Sequence, residues 1–414
     1  VSGFEGEERR RGPGGRLRAG LRRHGVIPRP AALRQLLRDA DVRFTRGNRV
    51  EVYRDGRSGL DAMLAAIEAA RQRVHLETYI FRADETGRRF LAALTERAGA
   101  GVEVRLLFDA VGSLGLPTAA LSELRAAGGD AVAFNPLGRV WPRWAPRRRD
   151  HRKILVIDGE VGFTGGLNIG DEYYLGPAAG GGTRVAWRDA HLRIGGPAVA
   201  LLDAVFLESW FRADAPDHPV ALLAAGLPPA TGGETLGVLP DGPTYHRRRM
   251  RVLLVRALDR AREHARLVTP YFVPDAKLRR SLAAAAARGV QVDVLIAGWS
   301  DHPILRWAAR ALLPELLASG VHAYEYATAM MHAKLGVFDD AWAVIGSSNL
   351  DRQSLEHSYE VNLLAEGGEL PGALARLVDE DLATALRITP EALAARRWWE
   401  RLRDRAAALL IARL

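Results

Sequence analysis

Two octapeptides in this chain have the residue types and spacing to do chemistry: HRKILVID, residues 151–158, and HAKLGVFD, residues 332–339. His151, Lys153 and Asp158 recur as His332, Lys334 and Asp339, 181 residues downstream. Lysine is nearly excluded elsewhere, with only Lys153, Lys277 and Lys334 among 58 basic residues. The tails also match. GGLN ends at Asn168 and GSSN at Asn349, in a chain with five asparagines. A repeat this long indicates two homologous halves instead of a solenoid.

Each frame reads as a strand, ILVID or LGVFD, with histidine and lysine just before the apolar run. Side chains alternate along a strand, so His151 and Lys153 share a face, as do His332 and Lys334. The set suits a phosphate ester. Lysine offers a compact positive charge and asparagine offers amide donors. A neutral imidazole can attack phosphorus, and a protonated one can protonate a leaving oxygen. One half supplies one such histidine. Two halves face to face supply a nucleophile and an acid on opposite sides of phosphorus, with no metal or other cofactor required. The glycines before Asn168 and Asn349 allow a tight turn that returns each amide to its motif. Asp158 and Asp339 lie five residues beyond Lys153 and Lys334, at roughly 3.3 Å per residue, and read as structural.

The elements that must position these groups alternate. NRVEVYRDG, VHLETYIF and VEVRLLFD read as strands, separated by helical spacing in GLDAMLAAIEAARQR and TGRRFLAALTERAGAG. The second half echoes this with a helix in YHRRRMRVLLVRALDRARE, a strand in ARLVTPYFV, a helix in DAKLRRSLAAAAARG and a strand in VQVDVLIAG. Tyr79 and Tyr271 fall at comparable points. The pattern predicts an α/β fold with a mixed sheet flanked by helices in each half. Expected units are a basic N-terminal segment (1–44), a first half (45–215), a linker (216–243), a second half (244–389) and a C-terminal amphipathic basic helix (390–414).

A chain of 414 residues with 48% hydrophobic and 26% charged residues is long enough for ample core. The absence of cysteine excludes disulfides and thiolate metal sites. A net charge of +9 favours polyanionic partners, either nucleic acid or an anionic membrane. No run of 18 uncharged apolar residues predicts a transmembrane helix, and no secretory signal is recognisable. The first residue is Val1, so an anchor upstream of it would lie outside this sequence.

The duplicated H-x-K-x4-D with trailing G-[GS]-x-N resembles the phospholipase D superfamily over about residues 45–390. HLETYIF (75–81), WPRWAPRRRDHRK (141–153), WRDAHLRIGGPAV (187–199) and TPYFVPD (269–275) are similar to its bacterial cardiolipin synthase branch. That resemblance implies two homologous halves with the active site at their pseudo-twofold interface, a covalent phosphohistidine, and transfer of a phosphatidyl group to an alcohol. It implies His151 as nucleophile and His332 as acid. Lys153, Lys334, Asn168 and Asn349 neutralise the phosphate, while Asp189 in WRDAH and Glu360 in HSYEVN hydrogen-bond the imidazoles. The expected substrates are phosphatidylglycerol or a related lipid as donor and a lipid alcohol as acceptor. The rivals are a phosphodiesterase acting on phospholipid or nucleic acid and an inactive lipid-binding scaffold. Duplication within one chain counts against nucleases of the family, which are often single-motif dimers.

Tryptophan interleaved with arginine at 138–149 suits a lipid-headgroup rim, with Trp141, Arg143, Trp144, Arg147 and Arg148 as contacts, but equally a base-stacking surface for nucleic acid or a solvated loop with its tryptophans packed inward. At the C-terminus Ala395, Trp398, Trp399, Leu402, Ala406, Leu409 and Leu410 share one helical face. Such a face packs on the domain or lies at a membrane interface. The expected location is peripheral, at the cytoplasmic face of a bacterial membrane. His75, His191, His302 and His357 lack the double frame and read as structural.

Overall fold

The computed structural model describes residues 42–136, 148–176, 185–213, 227–243 and 248–413. The first half runs β1 (Arg43–Asp55), α1 (Gly56–Glu68), β2 (Arg73–Thr78), α2 (Glu85–Gly99), β3 (Glu103–Asp109), α3 (Thr118–Ala126), β4 (Asp130–Phe134), β5 (Ile154–Ile157), β6 (Val161–Gly165), α4 (Asp171–Tyr174), β7 (Arg188–Gly195) and α5 (Ala198–Arg212). The second runs β8 (Glu234–Asp241), α6 (Arg249–Arg260), β9 (His264–Thr269), α7 (Ala276–Ala287), β10 (Gln291–Ala297), α8 (Pro303–Ala318), β11 (His322–Tyr326), β12 (Leu335–Phe338), β13 (Trp342–Gly346), a π-helical turn (Gln353–His357), β14 (Glu360–Glu366), α9 (Leu370–Thr384), β15 (Leu386–Ile388), α10 (Pro390–Ala394) and α11 (Trp398–Arg413).

Helices start where the sequence supplies caps. Asp55, Asp84 and Asp275 accept from the backbone N–H of Ser58, Gly87 and Leu278 at the starts of α1, α2 and α7. Strands β2, β3 and β4 are parallel, and β5, β6, β7 and β1 continue the sheet antiparallel. In the second half β9, β10 and β11 are parallel, and β12, β13, β14 and β8 are antiparallel. Each half therefore carries the mixed sheet expected. The two sheets join edge to edge through antiparallel pairing of β1 with β8, from Arg43 opposite Val238 to Asn48 opposite Glu234. The result is one 15-stranded sheet in mirror order about that seam. The seam strand β8 lies inside the 216–243 stretch expected as a linker, because ETLGVLPD has two sheet edges to pair with.

The motif strands β5 and β12 are buried at every position, as continuous apolar runs in a sheet covered on both faces must be. Truncating one of these side chains, such as Leu155→Ala, costs about 2–5 kcal/mol. Asp158 ends β5 at φ 52° and accepts from the amides of Arg71, Gln72 and Arg73. Asp339 ends β12 at φ 50° and accepts from Arg262, Glu263 and His264 in the same way. Each aspartate thus ties the end of its motif strand to the start of the neighbouring strand, β2 or β9.

Helix α11 packs on α8, with the Arg403 guanidinium 4.4 Å from the Trp307 ring, and its buried Asp404 pairs with Arg396 and Arg403. Its apolar face turns outward, leaving Trp398, Trp399, Leu402, Leu409 and Leu410 exposed. Among the described residues no helix is long and apolar enough to cross a membrane.

Candidate active site

The histidines precede their strands, and backbone pairing between halves places them. The amide of His151 donates to the Tyr359 carbonyl and that of Tyr359 to Arg149, each within 2.9 Å. In the other direction the amide of His332 donates to Arg188 at 2.7 Å and that of Arg188 to Met330 at 2.8 Å. Each motif is therefore stitched to the segment leading into the other half's acidic strand. The Arg188 guanidinium adds a buried ion pair with Asp381 at 2.7 Å, also across the interface.

This stitching crosses the carboxylates. Asp189, from the first half, lies 2.7 Å from Nδ1 of His332. Glu360, from the second half, lies 3.1 Å from Nδ1 of His151. The Ser347 carbonyl is also 3.1 Å from that nitrogen. A carbonyl can only accept, so Nδ1 of His151 carries the proton and Nε2 keeps its lone pair.

Lys153 donates to the His151 carbonyl at 2.8 Å, and Lys334 donates to the His332 carbonyl. Both ammonium groups are buried. Burial pushes Lys153 down to about 7 and Lys334 down to about 8. Burial and the two lysines hold His151 well below the usual imidazole value. Burial and Lys334 bring His332 down to about 4, against the pull of Asp189. The carboxylates differ. Burial pushes Glu360 up to about 7 despite Lys153 and Ser347. Burial also opposes ionisation of Asp189, but His332 and Lys334 outweigh it and hold this carboxyl below its usual range.

The histidines share one cavity of about 410 Å³ with Asn168, Asn349, Tyr79, Tyr173 and Tyr271. Lys153, Lys334, Asp189 and Glu360 are not part of its wall. Asn168 accepts from the Ile80 amide at 3.1 Å and donates to the Tyr173 hydroxyl at 2.6 Å. Oδ1 of Asn349 is buried without a hydrogen-bond partner. The Ser347 hydroxyl donates to Glu360. At the matching position a Cβ on Gly166 would overlap Asp189.

Several wall residues were not anticipated. Tyr173 meets His332 edge-on at 5.4 Å, and Tyr79 meets His151 at 4.9 Å. His302, expected to be structural, lines the cavity together with Asp301 and Asp351. The register also separates the two tyrosines thought comparable. Thr78 donates to the Ile80 carbonyl and Thr269 to that of Tyr271, so Tyr271 matches Ile80. Of the proposed lipid contacts, Arg148 is exposed, while Trp141, Arg143, Trp144 and Arg147 lie outside the described residues, as does most of the 1–44 segment. Among the described residues no group of three or more His, Asp or Glu side chains is arranged to hold a metal ion.

The sequence profile of the cardiolipin synthase, phospholipase D-like domain matches residues 63–175 and 254–382. Cardiolipin synthase of Staphylococcus aureus strain Mu50 is 33% identical over 380 residues, covering 91% of this chain and 76% of that protein. The major cardiolipin synthase of Bacillus subtilis strain 168 is 32% identical over 370 residues, covering 89% and 76%. Among solved structures, phosphatidylserine synthase of Haemophilus influenzae superposes with a TM-score of 0.66 at 14% identity, covering 93% of this chain and 100% of that one, a likeness of fold. With both motif halves matched and the relatives aligned across nearly the whole sequence, the chain belongs to the phospholipase D superfamily, in its cardiolipin synthase branch.

Proposed function

We propose that this phosphatidyltransferase takes its phosphatidyl group from phosphatidylglycerol, or a related phospholipid, and passes it to the hydroxyl of a second lipid through phospho-His151. The units supplying the site are the halves 45–215 and 244–389. The observation that carries this reading is the pair of imidazoles in one cavity, each held at Nδ1 by a carboxylate from the opposite half. In the first step Nε2 of His151 bonds phosphorus, the bond to the glycerol oxygen breaks, and His332 gives that oxygen a proton. In the second the acceptor hydroxyl returns a proton to His332, its oxygen bonds phosphorus, and the P–N bond breaks.

The unequal carboxylates support these roles. An ionised Asp189 favours an imidazolium at His332, whereas Glu360, pushed up to about 7 by burial and so only partly ionised, draws a second proton to His151 less strongly. The negative charge of the bound diester offsets the lysines and raises the affinity of His332 for its proton. Lys153, Lys334, Asn168 and Asn349 stabilise the charge that builds on the phosphoryl oxygens.

We place the enzyme peripherally at an anionic membrane, on the cytoplasmic side. The exposed Trp398, Trp399, Leu402, Leu409 and Leu410 support this, because Ile411 of the same helix lines the cavity. Seating α11 in the headgroup region brings the cavity to the lipid headgroups. Arg148, Trp141, Arg143, Trp144 and Arg147 are the proposed basic and aromatic rim.

The test is product analysis on phosphatidylglycerol vesicles in EDTA. Cardiolipin and glycerol from the wild type, and neither from His151→Ala, is the expected result. Phosphatidic acid alone would mean water is the true acceptor and the protein a phospholipase. Absence of turnover would overturn the donor assignment.

A further inference from the structure

The two halves carry the same phosphate machinery, so what differs between them encodes what differs across the phosphorus. One difference stands at the cavity wall. Tyr271 occupies the position of Ile80, and its hydroxyl donates to Oδ1 of Asp301 at 2.7 Å. Asp301 follows β10, leads into α8 and lines the cavity with 34% of its side chain exposed. Its Oδ2 has His302 Nε2 at 3.6 Å, beyond hydrogen-bonding distance. The His302 ring packs on that of Tyr271 at 5.6 Å and also lines the cavity.

Among the described residues the first half has no counterpart to this trio: by the strand register Asp301 matches Ser113, whose hydroxyl donates to the Tyr79 carbonyl and accepts from the Phe81 amide. At the end of β3, Asp109 turns inward, accepting from the amides of Val111, Gly112 and Asp150 and pairing with Arg149. Burial there is complete, whereas Asp301 keeps a carboxylate edge toward the cavity.

We infer that Tyr271, Asp301 and His302 form a polyol subsite, taking the vicinal hydroxyls of the alcohol that leaves and of the alcohol that enters. A carboxylate repels a phosphate diester but accepts hydrogen bonds from hydroxyl groups, and charge-assisted bonds of this kind are the strong ones. The placement agrees. Trp299, two residues before Asp301, meets Trp187 at 6.4 Å, and Trp187 meets His332 at 5.3 Å. The subsite therefore lies on the side of His332. Leaving and entering oxygens both occupy that side in an in-line displacement with His151 as nucleophile. This inference rests on the role assignment proposed above. Tyr271 acts as a positioning residue, fixing one carboxylate oxygen so that the other faces substrate.

The experiment uses a donor without a diol, phosphatidyl-p-nitrophenol in vesicles, with glycerol and propan-1-ol competing as acceptors. Nitrophenol release monitors phosphohistidine formation, and the ratio of the two phosphatidyl products reads the subsite. We expect the wild type to favour glycerol and Asp301→Asn to lower that preference by about tenfold or more. Tyr271→Phe should lower it in the same direction by a smaller factor, with melting temperature measured for both variants. An unchanged ratio, equal loss of both products, or a wild type without preference would overturn the subsite. Cardiolipin formation from phosphatidylglycerol is measured in parallel. Failure of the wild type there overturns the underlying reading, whereas an active wild type with an unaltered variant ratio overturns the subsite alone.

Discussion

Asp189 and His332 belong to opposite halves of the chain, yet their Oδ2 and Nδ1 atoms lie 2.7 Å apart. The bond exists only when the halves are docked, so each histidine is oriented by a residue its own half does not contain. Replacing Asp189 by Asn keeps the shape and removes the charge that favours the imidazolium. We expect Asp189→Asn to lower kcat by about 10³-fold or more, by analogy with a histidine deprived of its orienting carboxylate. Glu360→Gln should cost less, since burial pushes Glu360 up to about 7 and leaves it only partly ionised at neutral pH. Steady-state kinetics with melting temperatures for both variants checks the order, and the reverse order would exchange the roles of His151 and His332.

Gly166 has a steric reason to be glycine. A Cβ there would overlap the Asp189 carboxylate. We expect Gly166→Ala to destabilise by about 1–3 kcal/mol and to abolish activity by displacing Asp189. Ser347→Gly, at the matching position, removes a hydroxyl that donates to Glu360 and should leave a folded, weakened enzyme. Urea denaturation and product assays together separate the two effects.

We expect the lysines to make anion binding pH-dependent. Burial has pushed Lys153 to about 7 and Lys334 to about 8, so both shed protons as pH rises through that range. A bound anion raises both values, and the complex then holds more protons than the free protein. Affinity must fall with rising pH. Tungstate should raise the melting temperature more at about pH 6 than at about pH 9. Lys153→Met should reduce both the shift and its pH dependence, and a shift that grows with pH would contradict the assignment.

Asp158 and Asp339 should affect stability more than chemistry. Each accepts from three backbone amides, two of them solvent-exposed. Alanine at either position should cost about 1–3 kcal/mol. Folded protein should retain most of its activity per molecule, as read by active-site titration. A large loss of kcat in a fully stable variant would point to a chemical role.

Helix α11 offers a test of membrane seating. Leu402→Asp combined with Leu409→Asp alters two exposed side chains and should leave the melting temperature unchanged. Sedimentation with anionic vesicles should weaken by about tenfold or more, given the transfer energy of two leucines. Unchanged sedimentation would move the membrane contact elsewhere.

How far the site could be read from sequence depended on repetition. His151 and His332 stood out because one local frame occurs twice with rare residues in it. The mixed sheets were legible for the same reason, since strand and helix periods are local properties. The crossing of Asp189 and Glu360 was not legible, because it depends on the pairing of Tyr359 with Arg149 and of Arg188 with Met330 across the interface. The offset between Tyr79 and Tyr271 escaped for a related reason. Both sit in aromatic strand ends that look alike, and only the threonine hydrogen bonds fix the register. Asp301 and His302 are not duplicated, so nothing in the pattern marked them. The outward face of α11 is decided by its packing on α8, where Arg403 meets Trp307 and Asp404 and Ala407 are buried, a choice that helical periodicity leaves open.

The β1–β8 seam has a further consequence. Two identical half-chains joined at the same edges would obey strict twofold symmetry, and both flanks of the phosphorus would then have to be alike. A single covalent chain has no such obligation. It can keep aspartate facing glycine on one flank and glutamate facing serine on the other, and let tyrosine replace isoleucine at one lip only. Continuity of the backbone is therefore what lets the two flanks differ, as the proposed division between a side that holds the phosphoryl group and a side that exchanges alcohols requires.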